Sequence, residues 1–256
     1  MKPRALILRT AGTNCDEETA FAVEKAGGRA DIVHVNIVAG RGGKGLADYG
    51  MLILPGGFSY GDDVASGKIL ANEIRTRLGE GLLEFLAAGK LVLGICNGFQ
   101  VLVKMGLLPG FRPFEPPPAT LIHNDSGKFE DRWVWLTSGS KRCVFLRGVE
   151  RMYLPIAHGE GKFVLRDASL LGKLRANGQI AMRYTDGRGW RGGYPVNPNG
   201  STDDIAGICD PTGRIFGLMP HPERHVLSTQ HPRWTREGRK KEGDGLAVFR
   251  NAVKYF

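Results

Sequence analysis

The chain has 256 residues, 42% of them hydrophobic, and its 35 lysines and arginines against 26 aspartates and glutamates give a formal net charge of +9. That suffices for a sizeable core, while no apolar run approaches the roughly 20 residues of a membrane span and the opening MKPRALILRT is too short for a secretory signal. Cys15, Cys96, Cys143 and Cys209 form no C-x-x-C pair, which argues against a zinc ribbon or a disulfide framework and leaves free thiols in a cytoplasmic protein as the expectation.

In chain order, ALILRT predicts a strand, and NCDEETAFAVEKAGG predicts a helix with Asn14 and Glu17 spaced as a capping box and Gly27–Gly28 as its stop. ADIVHVNIV and YGMLILPGG predict two strands separated by the glycine-rich AGRGGKG. NEIRTRLGEGLLEFLAAG predicts a helix leading into the strand KLVLGI, and NGFQVLVKMG predicts the helix after it. Prolines in LLPGFRPFEPPPA forbid regular structure there. Beyond it RWVWLTS, RMYLPIAHGEGKFVL, QIAMRYTD and IAGICDPTGRIFGLMP read as strands, GRGWRGGYPVNPNGSTDD as a long loop, and GLAVFRNAVKYF as an amphipathic closing helix. Strands alternating with helices, many of them continuously apolar, predict one α/β domain over residues 1–256. Its expected architecture is a doubly wound, mostly parallel sheet flanked by helices, with additional β-rich segments in the C-terminal half.

Cys96 ends the strand LVLGI and begins a helix, between Gly94 and Gly98, in the G-x-C-x-G form of a nucleophile elbow. The tight turn leaves no room for Cβ atoms at the two glycines, and the positive end of the helix favours a thiolate. Cys15, at another strand-to-helix turn, is the rival nucleophile but lacks flanking glycines; Cys143 and Cys209 have no catalytic setting. A thiol nucleophile needs a base whose tautomer a carboxylate fixes. Two histidines have a glutamate two residues on: His221 with Glu223 in MPHPERH, and His158 with Glu160 in IAHGEGKF. Residues i and i+2 of an extended chain project to one side, and Pro222 holds His221 extended, so the first pair is preferred by pattern, though modestly. His221 and His225 do not form H-E-x-x-H, which argues against zinc. The glycines of ILPGGFSYGDD can present N–H groups to an oxyanion, together with the N–H after Cys96. Phosphate binding is the weaker reading of that loop, because neither phosphate-loop glycine pattern is present.

With Cys96, the P-G-G loop and HPE in that order, the chain resembles the class I, triad-type glutamine amidotransferases over essentially its whole length. GTNCDEET, LPGGFSYGDDVASGKILA, GICNGFQVL, PIAHGEGKF and MPHPERH together resemble, within them, the glutaminase subunits of phosphoribosylformylglycinamidine synthases; Asn97 and Phe99 depart from the G-I-C-L-G-H-Q of many relatives but agree with this subgroup. The resemblance implies that Cys96 attacks the side-chain amide of L-glutamine, that His221 is base and then acid, and that Glu223 orients His221. It further implies an oxyanion hole from the N–H groups of Gly57 and Asn97, a glutamine contact from Gln100, and a choice of His221 and Glu223 over the other pair, leaving His158 and Glu160 without a derived role. Ammonia would pass to a large synthetase subunit, accompanied by a small third subunit, which uses ATP and magnesium to make formylglycinamidine ribonucleotide in purine synthesis; this chain would carry no cofactor of its own. A cysteine hydrolase without a partner would use the same elbow, but an α/β-hydrolase ordinarily places its acid before its histidine. The basic segment 224–241, with Arg224, Arg233, Arg236, Arg239, Lys240 and Lys241 against Glu237, reads as a protein-docking or solvated face rather than a nucleic-acid site, since no DNA or RNA motif accompanies it.

Overall fold

The computed structural model describes residues 2–40, 44–110, 114–238 and 240–256; parts of AGRGGKG and LLPGFRPFEPPPA, and Arg239 of the basic segment, lie outside them. The elements are β1 (Arg4–Arg9), α1 (Asp16–Lys25), β2 (Arg29–His34), α2 (Val35–Gly40), β3 (Met51–Leu54), α3 (Lys68–Ala87), β4 (Leu91–Ile95) and α4 (Asn97–Lys104). After these come β5 (Ala119–Ile122), β6 (Glu130–Ser138), β7 (Arg151–His158), β8 (Lys162–Leu165), α5 (Ser169–Ala176), β9 (Ile180–Thr185), β10 (Ile205–Cys209), β11 (Ile215–Leu218), α6 (Trp234–Glu237) and α7 (Leu246–Val253).

Nine strands form one sheet in the order β2-β1-β3-β4-β11-β10-β9-β6-β7, with β5 and β8 pairing separately. From β2 to β11 every pairing is parallel, as the apolar β-α alternation predicts. From β11 onward every pairing is antiparallel, so β10, β9, β6 and β7 widen the parallel sheet into a mixed one, while β8 pairs with β5 apart from it. All residues of β3, β4, β10 and β11 are buried, the expected state of strands covered on both sides. β7 instead alternates, with Met152, Leu154, Ile156 and His158 on its buried face, so a histidine ends an otherwise apolar stripe. No helix among the described residues is long and apolar enough to cross a membrane.

Three local expectations change. ADIVHVNIV is strand only to His34; Val35 and Val38, three apart and both buried, begin α2 instead. The capping box does not form, because α1 starts after Cys15 and the Asn14 Oδ1 accepts the Cys15 thiol proton at 3.1 Å rather than a helix N–H. RMYLPIAHGEGKFVL divides into β7 and β8 around a turn at Gly159–Gly161.

Candidate active site

The site forms where β3, β4 and β11, neighbours in the sheet, deliver their C-terminal ends side by side. At the end of β4 the backbone of Cys96 has φ 51° and ψ −107°, a left-handed conformation that a side-chain-bearing residue adopts only when its surroundings enforce it. The surroundings are the two glycines. A Cβ on Gly98 would lie 1.9 Å from the Leu54 carbonyl oxygen at the end of β3, and one on Gly94 would lie 2.6 Å from the Gly98 oxygen. The α4 axis can therefore approach β3 and β4 closely, and the Cys96 N–H is pinned to the Leu218 carbonyl at 2.8 Å. The thiol sits 3.7 Å from the Ala157 carbonyl of β7. Cys96 is thereby held at the C-terminal end of a central strand and the start of a helix, the geometry of a nucleophile elbow.

His221 follows β11. It is extended at φ −103° and ψ 90°, as the residue before proline should be, and its N–H is held by the Pro155 carbonyl at 2.9 Å. The chain does not continue extended: Pro222–Arg224 makes one tight helical turn, which folds Glu223 back so that its Oε1 lies 2.6 Å from His221 Nδ1. The turn, rather than two-residue alternation, thus brings carboxylate and ring together. Both side chains are buried. Burial works against a charged imidazole, but the Glu223 carboxylate and then Cys96 outweigh it and raise His221 well above the ordinary histidine range. With Nδ1 engaged by Glu223, the other ring nitrogen is left free: Nε2 has no hydrogen-bond partner among the described residues and lies within electrostatic reach of Cys96.

The P-G-G loop closes over this pair. Gly57 has φ 142°, open only to glycine here, and a Cβ on it would lie 2.6 Å from the Gly12 oxygen. The loop is stitched to residues 12–14 by Phe58 N–H to the Gly12 carbonyl at 2.8 Å and Asn14 N–H to the Gly56 carbonyl at 3.4 Å, neither of which uses the Gly57 N–H. Asn97, as the first residue of α4, has an N–H with no carbonyl one turn before it. Its side chain joins the two loops: Oδ1 accepts from the Ser59 N–H at 3.3 Å, and Nδ2 donates to Asp62 Oδ1 at 3.1 Å and Gln100 Oε1 at 3.0 Å. Gln100 in turn donates to the Glu160 carbonyl at 2.7 Å. Gln100 thus ties the start of α4 to the loop after β7.

The other H-x-E motif does not make a second pair. His158 Nδ1 faces Asn124 Oδ1 at 3.1 Å, not Glu160, and burial followed by the nearby His221 drives its pKa down to about 3. Cys15, the rival nucleophile, stands behind the His221 ring: its sulfur is 4.0 Å from His221 Nδ1 and accepts from Arg224 Nη2 at 3.2 Å. Burial pushes this thiol up to about 11. Cys15, His221 and Glu223 place a sulfur, a nitrogen and an oxygen within 4.8 Å of one another. A guanidinium against the sulfur and a carboxylate already bonded to the ring make that trio a support for the imidazole, not a cation site.

Sequence reasoning did not single out Gly56, whose Cβ would lie 2.8 Å from His221 Cε1, although its signal stood beside Gly57. Nor did it find Arg224's role, since the Glu18 that orients Arg224 at 2.7 Å lies on α1, 206 residues away in the chain. In the basic segment, Arg224, Arg233 and Lys240 pair with Glu18, Glu237 and Asp244.

Residues 2–256 match the CobB/CobQ-like glutamine amidotransferase domain family. The chain is 51% identical over 257 residues to the phosphoribosylformylglycinamidine synthase subunit PurQ of Dehalococcoides mccartyi, covering 99% of this chain and 98% of that protein. It is 46% identical to the subunit of the same name from Methanococcus maripaludis, covering 99% and 97%. Among solved structures it resembles a chain of PurLQS from Thermotoga maritima, with TM-score 0.76 and 34% identity over 100% of this chain and 99% of that one.

Proposed function

The chain belongs to the CobB/CobQ-like glutamine amidotransferase family, and from that premise we propose how its residues divide the work. Its activity is the glutaminase half-reaction of phosphoribosylformylglycinamidine synthase: hydrolysis of L-glutamine to glutamate and ammonia for purine biosynthesis. Cys96 is the nucleophile, His221 the base and acid, and Glu223 the group that fixes the Nδ1–H tautomer. Glutamine enters with its amide carbon over Sγ. The thiol proton passes to His221 Nε2, the S–C bond forms, and the amide oxygen becomes an oxyanion facing the N–H groups of Gly57 and Asn97. His221 returns the proton to the amide nitrogen, the C–N bond breaks, and ammonia leaves behind a γ-glutamyl thioester. A water molecule deprotonated by His221 then releases glutamate and restores the thiol. Gln100 shapes the pocket wall through its bonds to Asn97 and Glu160.

A synthetase subunit receives the ammonia, in a complex of the kind solved for Thermotoga. That subunit uses ATP and magnesium to convert formylglycinamide ribonucleotide to its amidine, and a small third subunit completes the assembly. The observation that carries the site assignment is the left-handed Cys96 at the β4–α4 turn, in a buried compartment with a histidine bonded to a carboxylate at 2.6 Å. Peptide-mapped mass spectrometry after exposure to a glutamine-mimicking electrophile, with and without the synthetase subunit, tests it. A glutamine-protected adduct on Cys96 is expected; an adduct on Cys15, or none with the partner present, would overturn the assignment.

A further inference from the structure

His158 belongs to a motif that the triad leaves unused, and its environment is unusually determinate. Asn124 Nδ2 donates to two carbonyls, those of Lys128 at 2.9 Å and His158 at 2.8 Å, which fixes the amide's orientation. Its Oδ1 must then be the acceptor, and it also receives the Gly161 N–H at 3.0 Å. His158 Nδ1, 3.1 Å from that oxygen, must therefore carry the ring proton. The consequence is a lone pair on Nε2. That atom is buried and has no partner among the described residues, in a side chain only 3% exposed.

Packing keeps the ring where it is. A Cβ on Gly161 would lie 2.2 Å from His158 Cε1, so glycine alone allows the turn to press on the imidazole. The preceding residue, Ala157, presents its carbonyl to the Cys96 sulfur, and His221 is among the groups whose charge His158 feels. An acceptor of fixed tautomer thus sits one residue from the carbonyl that meets the Cys96 sulfur, and no described residue supplies it with a donor. An unmet buried acceptor is costly unless something fills it.

On the reading of the site given above, the donor that must pass here is the amide nitrogen of glutamine, which becomes ammonia. We propose that His158 Nε2 accepts an N–H of this leaving nitrogen, turning its lone pair toward the proton on His221. Balance follows from the tautomer. His221 gives one proton to nitrogen, the C–N bond breaks, and His158 neither gains nor loses a proton. Ammonia departs neutral. Because His158 resists protonation, it offers no acid that would turn the departing molecule into ammonium, the form without a nucleophilic lone pair.

The test uses the complex reconstituted with its synthetase subunit. His158→Phe keeps a ring and removes the acceptor; His158→Gln keeps a carbonyl acceptor. Glutamate formation, glutamine-driven amidine formation and ammonium-driven amidine formation are measured for each. His158→Phe should lower kcat for glutamate formation about five- to tenfold, the range for losing one neutral hydrogen bond, with KM for glutamine within about twofold. His158→Gln should recover most of the loss, and the ammonium-driven reaction should stay at the wild-type rate in both. Equal losses in the two variants, or a rise in KM in place of the fall in kcat, would reduce His158 to a packing residue. Nitrogen NMR of histidine-labelled wild-type protein supplies a readout apart from activity: an Nε2-protonated His158 would also overturn the proposal. Failure of Cys96 to label would remove the whole active-site reading, whereas these results with Cys96 labelling intact would remove only this role.

Discussion

Replacing Glu223 by glutamine isolates the charge at the base. The side chain keeps its shape and an oxygen for the Nδ1–H, so the 2.6 Å contact can persist without its negative charge. What is lost is attraction between the carboxylate and the imidazolium formed as Cys96 gives up its proton. For charge centres roughly 4 Å apart at an effective dielectric of about 20, that attraction is about 4 kcal/mol. At roughly 1.4 kcal/mol per factor of ten, kcat/KM for glutamine should fall about a thousandfold. Because Glu223 raises His221, the same change should move the histidine's pKa downward, while ammonium-driven synthesis in the complex is spared. Steady-state glutaminase assays across a pH series would measure both. A loss smaller than about tenfold with His221 titrating as in the wild type would show that the carboxylate does not support the charged ring, and the argument from the buried pair would fall.

Gly98→Ala forces a methyl to within 1.9 Å of the Leu54 carbonyl, a backbone atom that cannot swing aside. It should destabilise the fold by at least about 3 kcal/mol, seen as a midpoint shift in urea, and displace the thiol; unchanged stability would mean that α4 does not need this approach. Cys15, with a pKa of about 11, should be roughly one part in a thousand thiolate at pH 8, so iodoacetamide should leave it unmodified while Cys96 reacts, and Cys15→Ser should keep kcat within about threefold. Rapid labelling of Cys15 would contradict its burial. His158 is lowered in the fold to about 3, so the unfolded chain binds the extra proton between about pH 6.5 and pH 3. Its contribution to stability is full above pH 6.5 and is lost as pH falls through that window, with a slope of up to about 1.4 kcal/mol per pH unit. Urea midpoints for His158→Gln should show a shallower acid loss; parallel curves would place His158 in water.

The elbow was legible because its determinants are local. Strand, glycine, thiol, glycine and helix fall within a dozen residues, and the steric reason for each glycine can be stated before the partner backbone is known. Pro222 made the conformation of His221 legible in the same way, but not how Glu223 reaches the ring, since a tight turn and an extended strand both bring residues 221 and 223 within reach. The start of α2 was missed although Val35 and Val38 carried the spacing, because the preceding apolar run offered no breaker to end β2. The antiparallel half of the sheet was legible only as strands. Its order, with β9 between β10 and β6, depends on registers between segments far apart in sequence. Asn124, Arg224 and Gly56 are silent for a related reason: each acts through a neighbour supplied by another part of the chain.

The pairing of β11 with β4 also sets a timetable for the thiol. Cys96 lies before the midpoint of the chain, whereas the backbone oxygen that pins its N–H, and the histidine and glutamate beside it, arrive from Leu218 onward. During synthesis β1 through α4 can assemble around β3 and β4 while the place beside β4 is still empty. A growing polypeptide in that condition carries a cysteine with neither its base nor its anchoring carbonyl. Insertion of β11 beside β4 therefore supplies, in one event, the carbonyl that anchors Cys96 and the histidine and glutamate next to it.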